Sequence, residues 1–156
     1  MDNNFSDVVH LSNINEFAKK IIDIVTSKYK NTPDVPIVVT LDGNLGAGKT
    51  TIVRNILTTI DNSIGQVISP TYNILQLYQL QYYDIYHYDL YRIQDVKHLN
   101  EIGFLNEQDY CNSITNKCNL YLVEWPGVAE TLLPKNVIDV RIDYYDELYR
   151  TIKVMY

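Results

Sequence analysis

Gly43-Asn44-Leu45-Gly46-Ala47-Gly48-Lys49-Thr50 is a full match to G-x-x-x-x-G-K-[ST], four constrained positions in eight. The chemistry of that spacing is anion binding. Glycines let the backbone wrap around phosphate oxygens, with successive amides pointing inward as a nest. A helix following the loop adds partial positive charge at the same spot. Lys49 then supplies a full charge near the outer phosphates, and the Thr50 hydroxyl is placed to ligate magnesium. The chain is expected to bind a nucleoside triphosphate.

Such a site needs a second acid at the end of a buried strand, to hold magnesium directly or through water. Glu124 fits, because Leu120-Tyr121-Leu122-Val123 leads straight into it. Trp125 beside it could stack on a base, cover the site or cap the core. Asp89 is the other candidate acid. In Ile85-Tyr86-His87-Tyr88-Asp89-Leu90-Tyr91-Arg92, period-two alternation puts Ile85, His87 and Asp89 on one strand face. A carboxylate and a histidine there could orient a water or ligate the metal's outer shell. A solvated strand face, with Arg92 an ordinary surface charge, accounts for the same residues. Ser69-Pro70-Thr71 stands where many nucleotide switches carry a mobile hydroxyl residue, although spacing alone does not separate it from an ordinary turn. Asn116-Lys117-Cys118-Asn119 nearly matches the N-K-x-D guanine-reading motif, but asparagine replaces the final aspartate, and the motif precedes a strand instead of following one. Without the carboxylate the guanine N1 and N2 protons lose their acceptor, which argues against guanine specificity.

The elements that must position these residues read as strand, loop, helix, strand and helix again. Ile37 to Leu41 is a short buried strand ahead of the loop, and Thr50 to Ile60 is a helix after it. Upstream, Asn13 and Glu16 resemble a capping box. Behind them Ile14, Phe17, Ala18, Ile21, Ile22 and Val25 form a helical stripe, and a turn-rich connector follows at 31–36. Gln66-Val67-Ile68 reads as a brief strand. Tyr72 to Tyr91 reads as two strands or more, joined near Gln79 to Asp84. Gln94 to Tyr110 is helical in pattern, with Val96, Leu99, Ile102 and Leu105 inward. Val128 to Leu133 is a short helical piece closed by Pro134. Val137 to Ile142 and Tyr149 to Met155 form a C-terminal hairpin. The expected fold is an α/β, P-loop NTPase-like three-layer sandwich, with a mixed central sheet and the ligand at the carboxyl ends of its parallel strands.

Bulk composition narrows the function. The 156 residues suit a single domain, residues 1–156, and a 46% apolar content is ordinary for a globular protein. The net charge of −6, without a dense Lys/Arg stripe, disfavours direct gripping of a nucleic-acid backbone. Cys111 and Cys118 lack zinc-ligand spacing and read as reduced thiols of a cytoplasmic protein. No apolar run approaches membrane-spanning length, and the N-terminus lacks a signal-peptide core. Fourteen tyrosines against one tryptophan read first as half-buried strand surface and second as a binding surface.

Taken together, Gly43 to Thr51, Ser69-Pro70-Thr71-Tyr72, His87-Tyr88-Asp89-Leu90-Tyr91-Arg92, Glu101-Ile102-Gly103 and Val123-Glu124-Trp125-Pro126 resemble the TsaE (YjeE) family. These are small bacterial ATPases of tRNA threonylcarbamoyladenosine biosynthesis. The resemblance runs from the first helix to the last hairpin. It implies that Gly46, Ala47, Gly48, Lys49, Thr50 and Thr51 hold ATP, with Thr50 and Glu124 as ligands of Mg2+. It implies a switch-like Thr71 near the γ-phosphate, an Asp89 needed for hydrolysis, and Trp125 next to the nucleotide or a partner surface. It further implies TsaD-like and TsaB-like partners, tRNA reached only through that complex, and a weak ATPase that its partners activate. Asn44 and Gly127 depart from the family, which usually carries acids there. A small-molecule or nucleoside kinase is the alternative, but such an enzyme needs a basic lid. Lys and Arg total only 13, with no Arg-rich segment between the loop and Glu124.

Overall fold

Alternating apolar residues on Ile37–Asp42 send Ile37, Val39 and Leu41 into one core and Val38 into another, so this strand is buried on both faces. It is the centre of the sheet. The computed structural model describes residues 4–32, 35–105 and 117–156. Among the described residues seven strands form, β1 (Asn4–His10), β2 (Ile37–Asp42), β3 (Leu75–Gln79), β4 (Tyr83–Asp89), β5 (Cys118–Glu124), β6 (Ile138–Tyr144) and β7 (Tyr149–Met155). Their order is β1-β7-β6-β2-β5-β4-β3. β6, β2, β5 and β4 run parallel, while β1, β7 and β3 are antiparallel to their neighbours, so the sheet is mixed.

Two helices, α1 (Ile14–Asn31) and α2 (Lys49–Ile60), cover one face. The α1 stripe buries Ile14, Phe17, Ala18, Ile21 and Val25 there, and α2 adds Ile52, Val53, Ile56 and Leu57. The opposite face carries Val38, Tyr88, Tyr121 and Val123 under α3 (Val96–Glu101) and a 3-10 turn at Pro126–Ala129. Tyrosines pack inside this second core, with Tyr86 and Tyr121 stacked at 4.6 Å and Tyr88 edge-on to Phe104 at 4.9 Å. Within the tyrosine-rich stretch only Tyr88 is fully buried, Tyr78, Tyr83 and Tyr86 are half-buried, and Tyr72, Tyr82 and Tyr91 are exposed. Among the described residues no helix is long and apolar enough to cross a membrane. Cys118 is buried, and burial pushes its thiol up to about 12, so it stays protonated and unreactive.

Several local expectations are corrected. Residues 66–68 form no strand: Val67 is buried, and its carbonyl accepts the Arg54 guanidinium at 3.0 Å instead of a strand partner. The capping box does not form, because Asn13 makes no cap bond and accepts from the Ser12 hydroxyl at 3.0 Å. Helix α3 stops at Glu101, since Gly103 (φ 70°) is left-handed and Phe104 N–H returns to the Leu99 carbonyl at 3.0 Å. Ile102 is consequently exposed and Phe104 buried in its place, and residues 106–110 of the expected helix lie outside the described residues. The helical piece after Trp125 is a 3-10 turn that begins at Pro126. Strand β1, unread in the sequence, pairs along β7 from Asn4↔Met155 to His10↔Tyr149.

Candidate functional site

The loop at 43–48 joins the carboxyl end of β2 to α2, and its shape depends on glycine. A Cβ on Gly43 (φ 153°) would clash with the Ile142 carbonyl oxygen of β6. Gly48 (φ 113°) turns the chain into α2 from the left-handed region. Gly43→Ala is expected to cost about 2 kcal/mol or more of stability, since φ and space are both wrong; denaturant unfolding measures it, and parental stability would contradict it.

Lys49 opens α2 but turns back over the loop. Its Nζ donates to the carbonyls of Gly43 (2.6 Å) and Asn44 (3.0 Å) and lies 3.7 Å from the centre of the Trp125 ring. Burial holds its ammonium below the ordinary lysine range, opposed by the attraction of Glu124, Asp89 and Asp42. Trp125 itself has left-handed backbone (φ 58°, ψ 56°), which a bulky residue adopts only where its surroundings impose it. Its ring also meets Tyr91 at 5.0 Å, so it caps the cavity and the lysine together.

The acids reach the same place by register. Asp89 of β4 stands opposite Glu124 of β5, both at the carboxyl ends of parallel strands. Even positions of β5 and odd positions of β4 face α2, as Leu120, Leu122 and Ile85 show by their packing. Glu124 is buried and doubly held: Thr50 Oγ1 donates to Oε2 at 2.9 Å, and His87 Nε2 lies 2.8 Å from Oε1. Asp89 is buried too. Its Oδ2 accepts from the hydroxyls of Ser69 and Thr71, the latter at 2.6 Å, and its Oδ1 accepts from Tyr91 N–H at 3.0 Å. The face carrying Ile85, His87 and Asp89 is therefore interior, not solvated.

Gly46, Gly48, Lys49, Thr50, Thr51, Thr71, Asp89, Glu124 and Trp125 line one cavity of about 340 Å³, together with Leu45, Ser69 and Tyr91. Ala47 does not. It points into the core, and its carbonyl accepts Arg150 Nε at 3.1 Å. Arg150 is a residue the sequence did not single out. Its guanidinium also bonds the carbonyls of Asp146 (2.7 Å) and Tyr149 (2.8 Å), tying the β6–β7 turn to the loop. Its sequence signal is faint, a cation on the inward side of an alternating strand. Lys117 and Asn119 of the near-guanine motif sit where β5 begins, at the sheet end away from the loop, and Lys117 pairs with Asp84 at 3.2 Å. Asn116 lies outside the described residues.

The sequence model of the family described as "Threonylcarbamoyl adenosine biosynthesis protein TsaE" matches residues 9–152. The chain belongs to the TsaE family. A Haemophilus influenzae protein named tRNA threonylcarbamoyladenosine biosynthesis protein TsaE is 38% identical over 131 residues, 84% of this chain and 76% of that one. A Rickettsia conorii protein of the same name is 33% identical over 147 residues, 94% and 77% of the two chains. The crystal structure of Bacillus subtilus YdiB shares the fold, with a TM-score of 0.66 at 23% identity over 99% of this chain and 86% of that one. In this TsaE-family chain the matched span contains every residue lining the cavity.

Proposed function

We propose that this protein is the ATP-binding and ATP-hydrolysing subunit required for N6-threonylcarbamoyladenosine modification of tRNA at position 37. In this reading residues 1–156 are one ATPase domain, a cytoplasmic switch acting on TsaD-like and TsaB-like partners. Membership of TsaE, a P-loop ATPase family, supports the biosynthetic role. The observation that carries the hydrolytic part is the meeting of Lys49, Thr50, Thr71, Asp89 and Glu124 on one cavity.

Each side chain has a task there. The amides of Gly46, Gly48, Lys49, Thr50 and Thr51 take the β- and γ-phosphate oxygens, while that of Ala47 is held by the Asn44 carbonyl at 3.0 Å, and the Lys49 ammonium turns to the phosphates from the loop carbonyls it now holds. Magnesium suits the donor set, since Thr50 Oγ1 and Glu124 Oε2 are hard oxygens 2.9 Å apart and this ion takes one or two protein oxygens plus phosphate oxygens and water. Bound there, it would neutralise charge developing on the phosphates. Asp89 orients the Ser69 and Thr71 hydroxyls, and Thr71, with its proton donated to Asp89, presents its oxygen lone pairs to accept from the attacking water beside the γ-phosphate. The water oxygen bonds to the γ-phosphorus, the bond to the bridging oxygen breaks, ADP leaves with that electron pair, and a proton of the water passes to an oxygen of the departing phosphate. The indole of Trp125 shields the lysine from solvent.

Lys49 is the one cation among the described residues lining the cavity, because Arg54 is spent on Val67 and Arg92 lies over the Tyr72 ring at 4.2 Å. That leaves the transition-state charge incompletely met, which supports slow turnover by the protein alone and a rise when a partner docks. The net charge of −6 agrees with a subunit that meets tRNA through its partners. ATP hydrolysis by the purified chain, with and without TsaD-like and TsaB-like proteins, is the test. Slow hydrolysis that rises on complex formation is the expected result. Phosphorylation of a nucleoside or sugar by the chain alone would overturn the switch in favour of a kinase.

A further inference from the structure

His87 lies on β4 two residues before Asp89, is fully buried, and shares its strand face with Ile85, which packs in the core beneath α2. Among the described residues its Nδ1 has no hydrogen-bond partner, so its other nitrogen makes the ring's one polar contact, 2.8 Å to Glu124 Oε1. An imidazole with one buried nitrogen unmatched is a costly way to fill a core position that a leucine would fill without loss. The contact with Glu124 is what the ring supplies in return.

We propose that His87 is a positioning residue for Glu124. Its Nε2–H donates to Oε1 and fixes the rotation of the carboxylate, leaving Oε2 turned toward Thr50 and the magnesium position. The geometry has the logic of an outer-sphere ligand. Thr50 can yield Oε2 to the metal, while His87 keeps hold of Oε1 from the apolar side, where water does not compete. A carboxylate free to rotate in the cavity would instead be drawn to the Lys49 ammonium, for which it is the largest attraction. The orphan Nδ1 fixes the tautomer as well. A proton there would bury an unpaired N–H and set a bare Nε2 against the carboxylate. The proposal rests on the reading of Glu124 as a magnesium-holding residue.

The test uses the full chain and two replacements, His87→Leu, which removes the donor, and His87→Gln, whose amide N–H reaches a similar place. Affinity for ATP without divalent cation is read from the fluorescence of Trp125, the single tryptophan. Affinity of the protein–ATP complex for Mn2+ is read by electron paramagnetic resonance. The leucine variant is expected to keep metal-free ATP affinity and lose about tenfold or more in Mn2+ affinity, with glutamine restoring most of the loss. Parental Mn2+ affinity in the leucine variant overturns the proposal, and so does an equal loss of ATP and Mn2+ affinity. Should the leucine variant not fold, side-chain nitrogen NMR of the unmodified protein decides. A proton on Nε2 supports the assignment, and one on Nδ1 overturns it. Glu124→Gln separates the layers: parental Mn2+ affinity there removes the underlying reading of Glu124, whereas a loss confined to Glu124→Gln removes only the role of His87.

Discussion

Replacing Lys49 by alanine is expected to lower ATP turnover by about a hundredfold or more, because among the described residues it deletes the one cation lining the cavity, which in the proposed reading turns to the phosphates. The same change is expected to leave the fold intact. Lys49 is only 5% exposed, and burial holds its ammonium below the ordinary value of 10.5. A group whose charged form is disfavoured in the folded state contributes less to stability than its hydrogen bonds suggest. The carbonyls it bonds belong to half-buried Gly43 and exposed Asn44, where water can replace it. The pH dependence has a definite sign. Between the lowered folded value and 10.5 the unfolded chain carries the Lys49 proton more often than the folded one, so this group makes stability rise with pH in that window. The alanine variant loses that increment. Steady-state hydrolysis, Trp125 fluorescence on ATP addition and thermal unfolding at two alkaline pH values check the three statements. Normal turnover would remove Lys49 from the site.

How much of this could be read beforehand differs from residue to residue, and the differences have a common cause. The setting of the loop was legible because its pattern is contiguous, and a strand before and a helix after it announce themselves by their own periodicity. Glu124 was legible because a fully buried strand announces its own end. The inward face of β4 was half legible. Period two grouped Ile85, His87 and Asp89, but only the β4–β5 register, Asp89 opposite Glu124, decides that this face lies under α2.

What local pattern does not carry is contact between distant segments. Strand β1 alternates weakly, since an edge strand with one open face has little to bury, and its pairing with β7 joins the two ends of the chain. The Arg150–Ala47 bond and the His87–Glu124 contact are of the same kind, with no spacing rule linking the partners. The failed strand at 66–68 shows the converse. A short apolar run was read there as a strand, but Val67 is buried in the core while its carbonyl is satisfied by the Arg54 guanidinium, and that leaves the same local pattern as pairing in a sheet.

Glu124→Gln is expected to separate metal binding from nucleotide binding. Glutamine keeps the length and an oxygen for Thr50 or His87 but drops the charge that magnesium needs. Turnover at ordinary magnesium should fall by well over tenfold, with a higher magnesium concentration needed for half-maximal rate. ATP binding measured in a chelator should move the other way or stay put, because a carboxylate beside a triphosphate repels it. Stability gives a third reading. Glu124 and Asp89 stand opposite each other on neighbouring strands, both buried, so neutralising one relieves a like-charge pair at the same time as it removes the strongest attraction on Lys49. These effects oppose each other, and the midpoint of thermal unfolding is expected to change little. The decisive comparison is the ratio of ATP affinities with and without magnesium. The parent's ratio should be lost in the variant, and a ratio that survives the substitution would mean that the metal is held by Thr50 and the nucleotide without Glu124.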